Sequence, residues 1–443
     1  MNDSALTSRR AFLGYGLATA GLAAFTLAGC SSTPSSGATP TAVATAAGKV
    51  DLRTSAYGSA TRQAKLKQVY DLYTAKFGGT INLEILANDQ YTQKLSTEIA
   101  GGAAADTINL FDNIVAQFAS KNTLVDLGAY SSGILDLKEI EKASLSSGVI
   151  NGKQFAVPLG DNAYGAIYDE GALESIGMKA PKPGHTWDEF ATFANDVAKK
   201  KGDGYYGTID DSSDLNGFDV FLRQRGKTAF KGGKLGFVAK DLEDWYQIWA
   251  DLRKTKAAPP GDLTVQTATG GFGNSLLVAG KAANFFIFPN VLSAFQALTK
   301  STLSVTTMPM PSAAKSGLYI RASNWVGVNA KSAHTPDAVN IVNFMLNDAD
   351  AVNILQAEFG AAPNQKLRAG VTYNATDQKF IDYVNLVAKD YAHPIGSLAD
   401  IFPTGFQQIL TAFQTVGHNV AIGTETVSSG ADSFISQAGG FLS

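Results

Sequence analysis

The sequence predicts an α/β fold built on a mainly parallel sheet, because strand and helix periodicities alternate over the first hundred residues after position 49. Two further observations agree with it. The 443-residue chain is 45% hydrophobic and 17% charged, so it can bury a sizeable core, and its length suits two or three lobes. No internal repeat, heptad pattern or membrane-length apolar run follows position 50, which argues against solenoid, fibrous and spanning architectures.

Val50 to Ser55 reads as a strand, and Leu66, Val69, Tyr70, Tyr73 and Phe77 then share one helical face before Gly78-Gly79 stops the helix. From Thr80 to Leu86, Ile81, Leu83 and Ile85 alternate with Asn82 and Glu84, the pattern of a strand with one buried face. Tyr91, Leu95 and Ile99 recur every four residues ahead of Gly101-Gly102, giving a second helix. Ile108 to Phe111 predicts a short strand, and Val115 to Phe118 begins a further helix. Thr186 and Glu189 have the spacing of a capping box at a helix start, and Trp187 between them suits a packing anchor. Lys199, Lys200 and Lys201, a tight basic run, fit a solvated helix end. Ligands of open α/β sheets sit beyond the carboxyl ends of strands, which directs attention to Tyr57-Gly58-Ser59 and Asp112-Asn113.

The net charge of −3 supplies no general attraction to phosphate backbones, so no nucleic-acid partner is expected. Cys30 is the single cysteine, which rules out an intramolecular disulfide, a thiolate zinc cluster or a Cys-x-x-Cys pair. Arg9-Arg10-Ala11-Phe12-Leu13 ahead of the charge-free run Gly14 to Gly29 resembles a twin-arginine export signal. Leu27-Ala28-Gly29-Cys30 resembles a lipoprotein cleavage box, which implies removal of residues 1–29 and acylation of Cys30. Two or three acyl chains would anchor the protein stably at the outer face of the cytoplasmic membrane, where one chain would not. Residues 31–48 are Ser, Thr, Ala, Pro and Gly with one Val, the composition of a flexible tether.

Several motifs recur in one order along the rest of the chain. They are Tyr91 to Gly102 followed by Ala105-Asp106, Leu124 to Leu127, Asn151 to Pro158 with Ile167-Tyr168-Asp169, and Thr186 to Phe190. Gly280 to Ala283, Met308 to Pro311, Ala322 to Ala330 and the segment Pro336 to Leu355 complete the series. In this order they resemble family 1 extracellular solute-binding proteins, the sugar-binding, maltose-binding-protein-like components of ABC importers. Ala105 stands where the family has Pro, Asp169-Glu170 where it has Asn-Lys, and Asn284 where it has Met. The resemblance implies a two-lobed periplasmic-binding-protein-like (type II) fold with discontinuous lobes and a hinge. The first lobe would take 49–158 and 318–368, and the second 160–314 and 370–443. Pro158-Leu159-Gly160 and Pro311 to Gly317 would form hinge strands. It further implies a monomer that carries a small neutral carbohydrate to permease subunits, without a cofactor or metal.

A neutral sugar presents hydroxyls to amides and carboxylates and C–H faces to aromatic rings. Family positions of these types fall on Tyr57, Asp112, Asn113, Asn162 and Tyr164, then on Asn216, Phe218 and Asp219. Phe288, Asn290, Asn324, Trp325, Phe402 and Phe406 complete the expected ligand-binding set. Each has a packing alternative: Tyr57, Phe288 and Phe406 as core aromatics, Asp112 as a helix cap, Asp219 as a capping or surface acid, Asn113 as a turn residue.

Enzyme signatures fail on spacing. No Gly-x-Ser-x-Gly elbow occurs, and His185, His334, His393 and His418 are far apart. Gly270 to Lys281 lacks the first Gly and the Ser/Thr of a phosphate loop, and Ser212, Asp214, Asn216 and Gly217 hold too few carboxylates for a calcium loop. Thirty-nine acids leave room for an exported carbohydrate-active enzyme as the alternative. A lipoprotein presenting sugar to a receptor is a third reading that shares the binding site.

Overall fold

The computed structural model describes residues 49–268, 271–395, 402–403 and 405–442. The expected signal segment, Cys30 and the tether lie outside the described residues. Among the described residues no helix is long and apolar enough to cross a membrane.

Two sheets organise two α/β lobes. In the first, β1 (Asp51–Tyr57), β2 (Thr80–Leu86), β3 (Thr107–Leu110), β6 (Val157–Asn162) and β12 (Arg321–Val328) are ordered β2-β1-β3-β12-β6. β1 pairs in parallel with β2 and β3, while β12 runs antiparallel between β3 and β6. Helix Ala60–Phe77, capped by Ser59, buries Leu66, Val69, Tyr70 and Tyr73, the face its spacing predicts. Helix Asn88–Gly101 ends on left-handed Gly102.

The second lobe is built on β7 (Gly165–Asp169), flanked antiparallel by β10 (Asn284–Ile287) and β11 (Leu303–Thr306). Its core collects large rings: Phe190 from helix Trp187–Lys201, Phe218 and Phe221 from helix Leu215–Arg223, and Trp245 and Trp249 from helix Ala239–Lys254, all fully buried. The Thr186–Glu189 capping box forms as its spacing predicts. Trp187 packs edge-on against Phe190, Phe221 and Trp245, and its Nε1 donates to Gln224. Helices Phe406–Ile422 and Val427–Phe441 complete this lobe.

Two hairpins lie outside the sheets, β4 (Val149–Ile150) with β5 (Lys153–Gln154), and β8 (Phe230–Lys231) with β9 (Lys234–Leu235). Asn151-Gly152 turns the first with φ of 51° and 76°, the positive pair that a tight two-residue hairpin requires.

The passages between sheets are short. Pro158-Leu159-Gly160 lies inside β6, and the chain leaves the first sheet at Ala163-Tyr164 to start β7. A Cβ on Gly160 would sit 2.0 Å from the Phe359 carbonyl oxygen, so the close approach of these backbones demands glycine. The return includes a 3-10 turn at Ala313–Lys315 and ends at β12. A backbone bridge between Asp161 and Ala361 ties a third segment to the same place.

Candidate functional site

Strand register gathers one edge of the first sheet. Ser55 pairs with Ile108 across β1 and β3, Trp325 pairs with Leu110 across β12 and β3, and Arg321 pairs with Asn162 across β12 and β6. The carboxyl ends of β1, β3 and β6 therefore share an edge with the amino end of β12, the edge at which such sheets hold ligands. Tyr57, Phe111, Asn162, Arg321 and Asn324 lie along it. The Tyr57 hydroxyl donates to Asn324 Oδ1 at 2.5 Å, and its ring stands edge-on to Phe111 at 5.3 Å. The Arg62 guanidinium lies 5.3 Å from the Tyr57 ring and is ion-paired with Glu358 at 3.1 Å.

The second sheet meets this edge at the crossing. Ile287 pairs with Gly165, so Phe288 emerges beside Tyr164, with the two rings edge-on at 5.2 Å. The Arg321 guanidinium stacks 4.0 Å over Phe288 and lies 5.8 Å from Phe402. Phe402 packs edge-on against Phe406 at 4.8 Å and also joins the first-lobe cluster that holds Ala322 and Trp325. Aromatic rings from both lobes thus converge on one seam, bridged by Arg321 and Phe402. Rings in this edge-on arrangement offer apolar faces and cation–π contacts, while Tyr57 and Asn324 offer hydroxyl and amide groups.

Tyr57, Asn162, Tyr164, Asn324, Phe288, Phe402 and Phe406 of the expected set are brought together here, and Asn216 and Asp219 line the same gap as Phe402 and Phe406. Trp325 and Phe218 are not, and several of the polar members are engaged locally. Trp325 is fully buried in the first-lobe core, where its Nε1 donates to Ser147 Oγ at 3.0 Å. Phe218 is fully buried in the second-lobe core, stacked on Phe413 and edge-on to Phe237. Asp219 is committed to Arg223 at 2.7 Å and to the amide of Ala229. Asn162 accepts from the next amide, that of Ala163, and closes its own turn. Asp112 and Asn113 open helix Asp112–Ser120, whose cap is Phe111, so Asp112 is a first-turn residue and not the cap. Asn290 lies in the short turn Pro289–Val291. Asn216 turns back on Asp214, its Nδ2 3.1 Å from Asp214 Oδ1.

Tyr164 connects the seam to the interior of the second lobe. Its hydroxyl donates to Asp214 at 2.5 Å and lies 3.1 Å from Asp211. Burial, then the neighbouring carboxylates, push the phenol well above its ordinary range. Burial raises both carboxyls, and at Asp211 the charge of Asp214 adds to it. Phe111, Arg321, Asp211 and Asp214 are site-neighbouring residues that sequence reasoning did not select. Phe111 directly precedes the inspected Asp112-Asn113, whereas Asp214 entered only through the discarded calcium-loop spacing.

Comparison with known proteins gives a consistent picture. Residues 56–352 match the model of a bacterial extracellular solute-binding protein family. A protein of Brucella abortus (strain 2308), named as a binding protein, is 28% identical over 160 residues, 36% of this chain. That match spans 38% of the relative's length. Among solved structures, a family 1 extracellular solute-binding protein from Alicyclobacillus acidocaldarius is 26% identical with a TM-score of 0.74, covering 89% of this chain and 98% of that one. A periplasmic oligogalacturonide binding protein from Yersinia enterocolitica, in complex with saturated digalacturonic acid, is 20% identical with a TM-score of 0.74. The similarity covers 89% of this chain and 99% of the Yersinia chain.

Proposed function

The chain belongs to the bacterial extracellular solute-binding protein family, and from that premise we propose that it captures a neutral sugar or oligosaccharide between its lobes and delivers it to an ABC importer permease. The observation that carries this reading is the seam itself. Tyr57 and Asn324 stand at the strand ends of one lobe, Phe288 and Phe406 belong to the other, and Arg321 and Phe402 bridge them. Rings for C–H faces beside hydroxyl and amide groups form the chemistry a sugar needs. The saccharide ligand of the Yersinia structure supports a carbohydrate as the class of guest.

Ligand binding favours the closed arrangement only to the extent that it contacts both lobes, so the bridging position of Arg321 and Phe402 matters. Acylated Cys30 holds the protein at the outer face of the cytoplasmic membrane, and the protein acts as a monomer on its permease. The test is a thermal-shift screen over sugars and polyols, followed by small-angle scattering with the best of them. A raised melting temperature together with compaction, and no change in the sugar, is the expected result. A sugar that is hydrolysed or rearranged, or a panel that leaves melting unmoved, would overturn the reading.

A further inference from the structure

A groove of about 500 Å³ opens on the second lobe where three stretches of chain meet. One is the turn that follows helix Leu215–Arg223, and another is the 3-10 turn Ala313–Lys315 with Gly317 on the passage back to β12. The third is His393-Pro394, shortly after helix Ala375–Asp390. Arg223, Arg225, Lys227 and Lys315 line it, and among the described residues no Asp or Glu does. In a chain with a net charge of −3, the groove is a local reversal of sign.

Cations suit the carboxyl end of a helix, so capping is the first explanation to test. The backbone has already closed that end. The amides of Gln224, Arg225 and Gly226 donate to the carbonyls of Val220, Leu222 and Arg223, and the Lys227 amide shares the Leu222 carbonyl. Two of the four charges are then balanced from outside the lining, Arg223 by Asp219 and Lys227 by Asp241, each at 2.7 Å. Arg225 and Lys315 form no ion pair among the described residues. Asp244 and Asp241 act on Arg225 at longer range, and each is bonded to a lysine, Lys240 and Lys227 respectively. The Arg225 guanidinium lies 3.4 Å from the centre of the Phe221 ring and spends one N–H on the Phe221 carbonyl. Stacking fixes its plane and leaves further N–H groups to a ligand. Lys315 is exposed at the end of its turn.

Two uncharged groups add to the set. His393 Nε2 is buried without a hydrogen-bond partner, and the Gly317 amide donates no hydrogen bond, both among the described residues. An oxyanion would satisfy the amide, and also His393 in the tautomer that carries its proton on Nε2.

We propose that this groove binds a dianionic phosphate monoester, its phosphoryl oxygens held by Arg225 and Lys315 with His393 and the Gly317 amide as further donors. Two cations without a counter-charge match a phosphate dianion better than a single carboxylate, and the groove is large enough for the organic remainder of the ester. The site does not depend on the sugar-carrier reading. Arg223 lines both this groove and the gap beside Phe402 and Phe406, and so stands between the two. Because Lys315 and Gly317 belong to the passage between sheets, an occupant ties that passage to the helix turn at Arg225.

The experiment is calorimetric titration of the purified chain with glycerol 3-phosphate, inorganic phosphate, dimethyl phosphate and citrate, in about 0.05 M sodium chloride at about pH 7.5, above the second phosphate pKa of ~6. It is repeated on Lys315→Glu, Arg225→Gln and, outside the groove, Lys138→Gln. All three side chains are exposed, so melting temperatures should stay within a few degrees of wild type. Should Arg225→Gln melt early through loss of its contact with Phe221, Lys315→Glu carries the test alone. Glycerol 3-phosphate is expected to bind best, and each groove variant to weaken it about tenfold or more, the loss of one charge-assisted hydrogen bond, with Lys138→Gln unchanged. Equal binding of dimethyl phosphate would overturn the dianion, and preference for citrate would overturn the phosphate class. Equal weakening by Lys138→Gln would reduce the effect to diffuse surface charge and sink the site. So would the absence of both heat and a melting shift with every probe.

Discussion

Asp161 lies on β6 fully buried beside Arg368, with 3.2 Å between the charged atoms. Burial pushes its carboxyl up to about 7, and the Arg368 charge opposes that shift. An unfolded aspartate titrates near pH 3.9, so between roughly pH 4 and 7 the folded chain holds a proton that the unfolded chain has released. Stability contributed by this group is therefore full below the unfolded value and lost as pH rises through the folded one. Asp161→Asn stays neutral throughout, so its urea midpoint should gain on wild type as pH rises from 4 to 8. A constant difference across that range would contradict the assignment. Trp325 makes the complementary case. Its composition and place in the family series mark it for ligand, yet the pairing of Trp325 with Leu110 turns the ring into the core. Trp325→Phe should cost about 1–3 kcal/mol, from the lost Ser147 bond and reduced packing, and leave sugar affinity unchanged. Calorimetry and urea unfolding on the same sample separate these two effects. What the sequence could not supply at this scale is which face of a strand or helix turns inward. Tyr57 closes β1 and Trp325 sits midway along β12, and only their pairing and packing tell the two aromatics apart.

At the scale of elements, local signals were legible where local forces decide. The alternation in Thr80–Leu86 became β2, the four-residue recurrence of Tyr91, Leu95 and Ile99 became helix Asn88–Gly101, and Gly78-Gly79 ended the first helix. The capping box at Thr186 is a further example, with the hydroxyl accepting from the Glu189 amide and the Glu189 side chain accepting from the Thr186 amide. Thr186→Ala should destabilise the protein by about 1 kcal/mol, read as a lowered urea midpoint with an unchanged slope. An unchanged midpoint would mean that the tertiary contacts of Trp187 alone fix this helix start. Pairing across long separations was not legible in the same way. β12 enters the first sheet between β3 and β6, more than 150 residues from either, and reverses the direction of one strand in a sheet that local alternation predicted to be mainly parallel. No short window of sequence contains that information, because it depends on two distant edges competing for the same partner.

For the whole molecule, the division into two lobes follows from the ordered motif series, but the character of the seam follows from how charges were spent. Among the described residues, Arg62 is paired with Glu358, Arg223 with Asp219, Arg368 with Asp161 and Arg253 with Asp210, while Arg321 is stacked on Phe288. Paired and stacked charges leave little net field for a charged guest, and the net charge of −3 spread over 443 residues adds little more. Binding of a neutral guest then draws on ring faces and short hydrogen bonds, neither of which salt screens appreciably. Raising sodium chloride from about 0.05 to about 0.5 M should therefore change the measured Kd by less than roughly threefold, whereas long-range attraction would be screened away over that interval. Saturation should also raise apparent stability by about 2.7 kcal/mol at a hundredfold excess over Kd, whatever the salt, because only the folded seam binds. If affinity instead falls tenfold or more with salt, Arg321 is acting on a ligand anion and not as a stacked lid over Phe288. The guest would then be an acidic sugar.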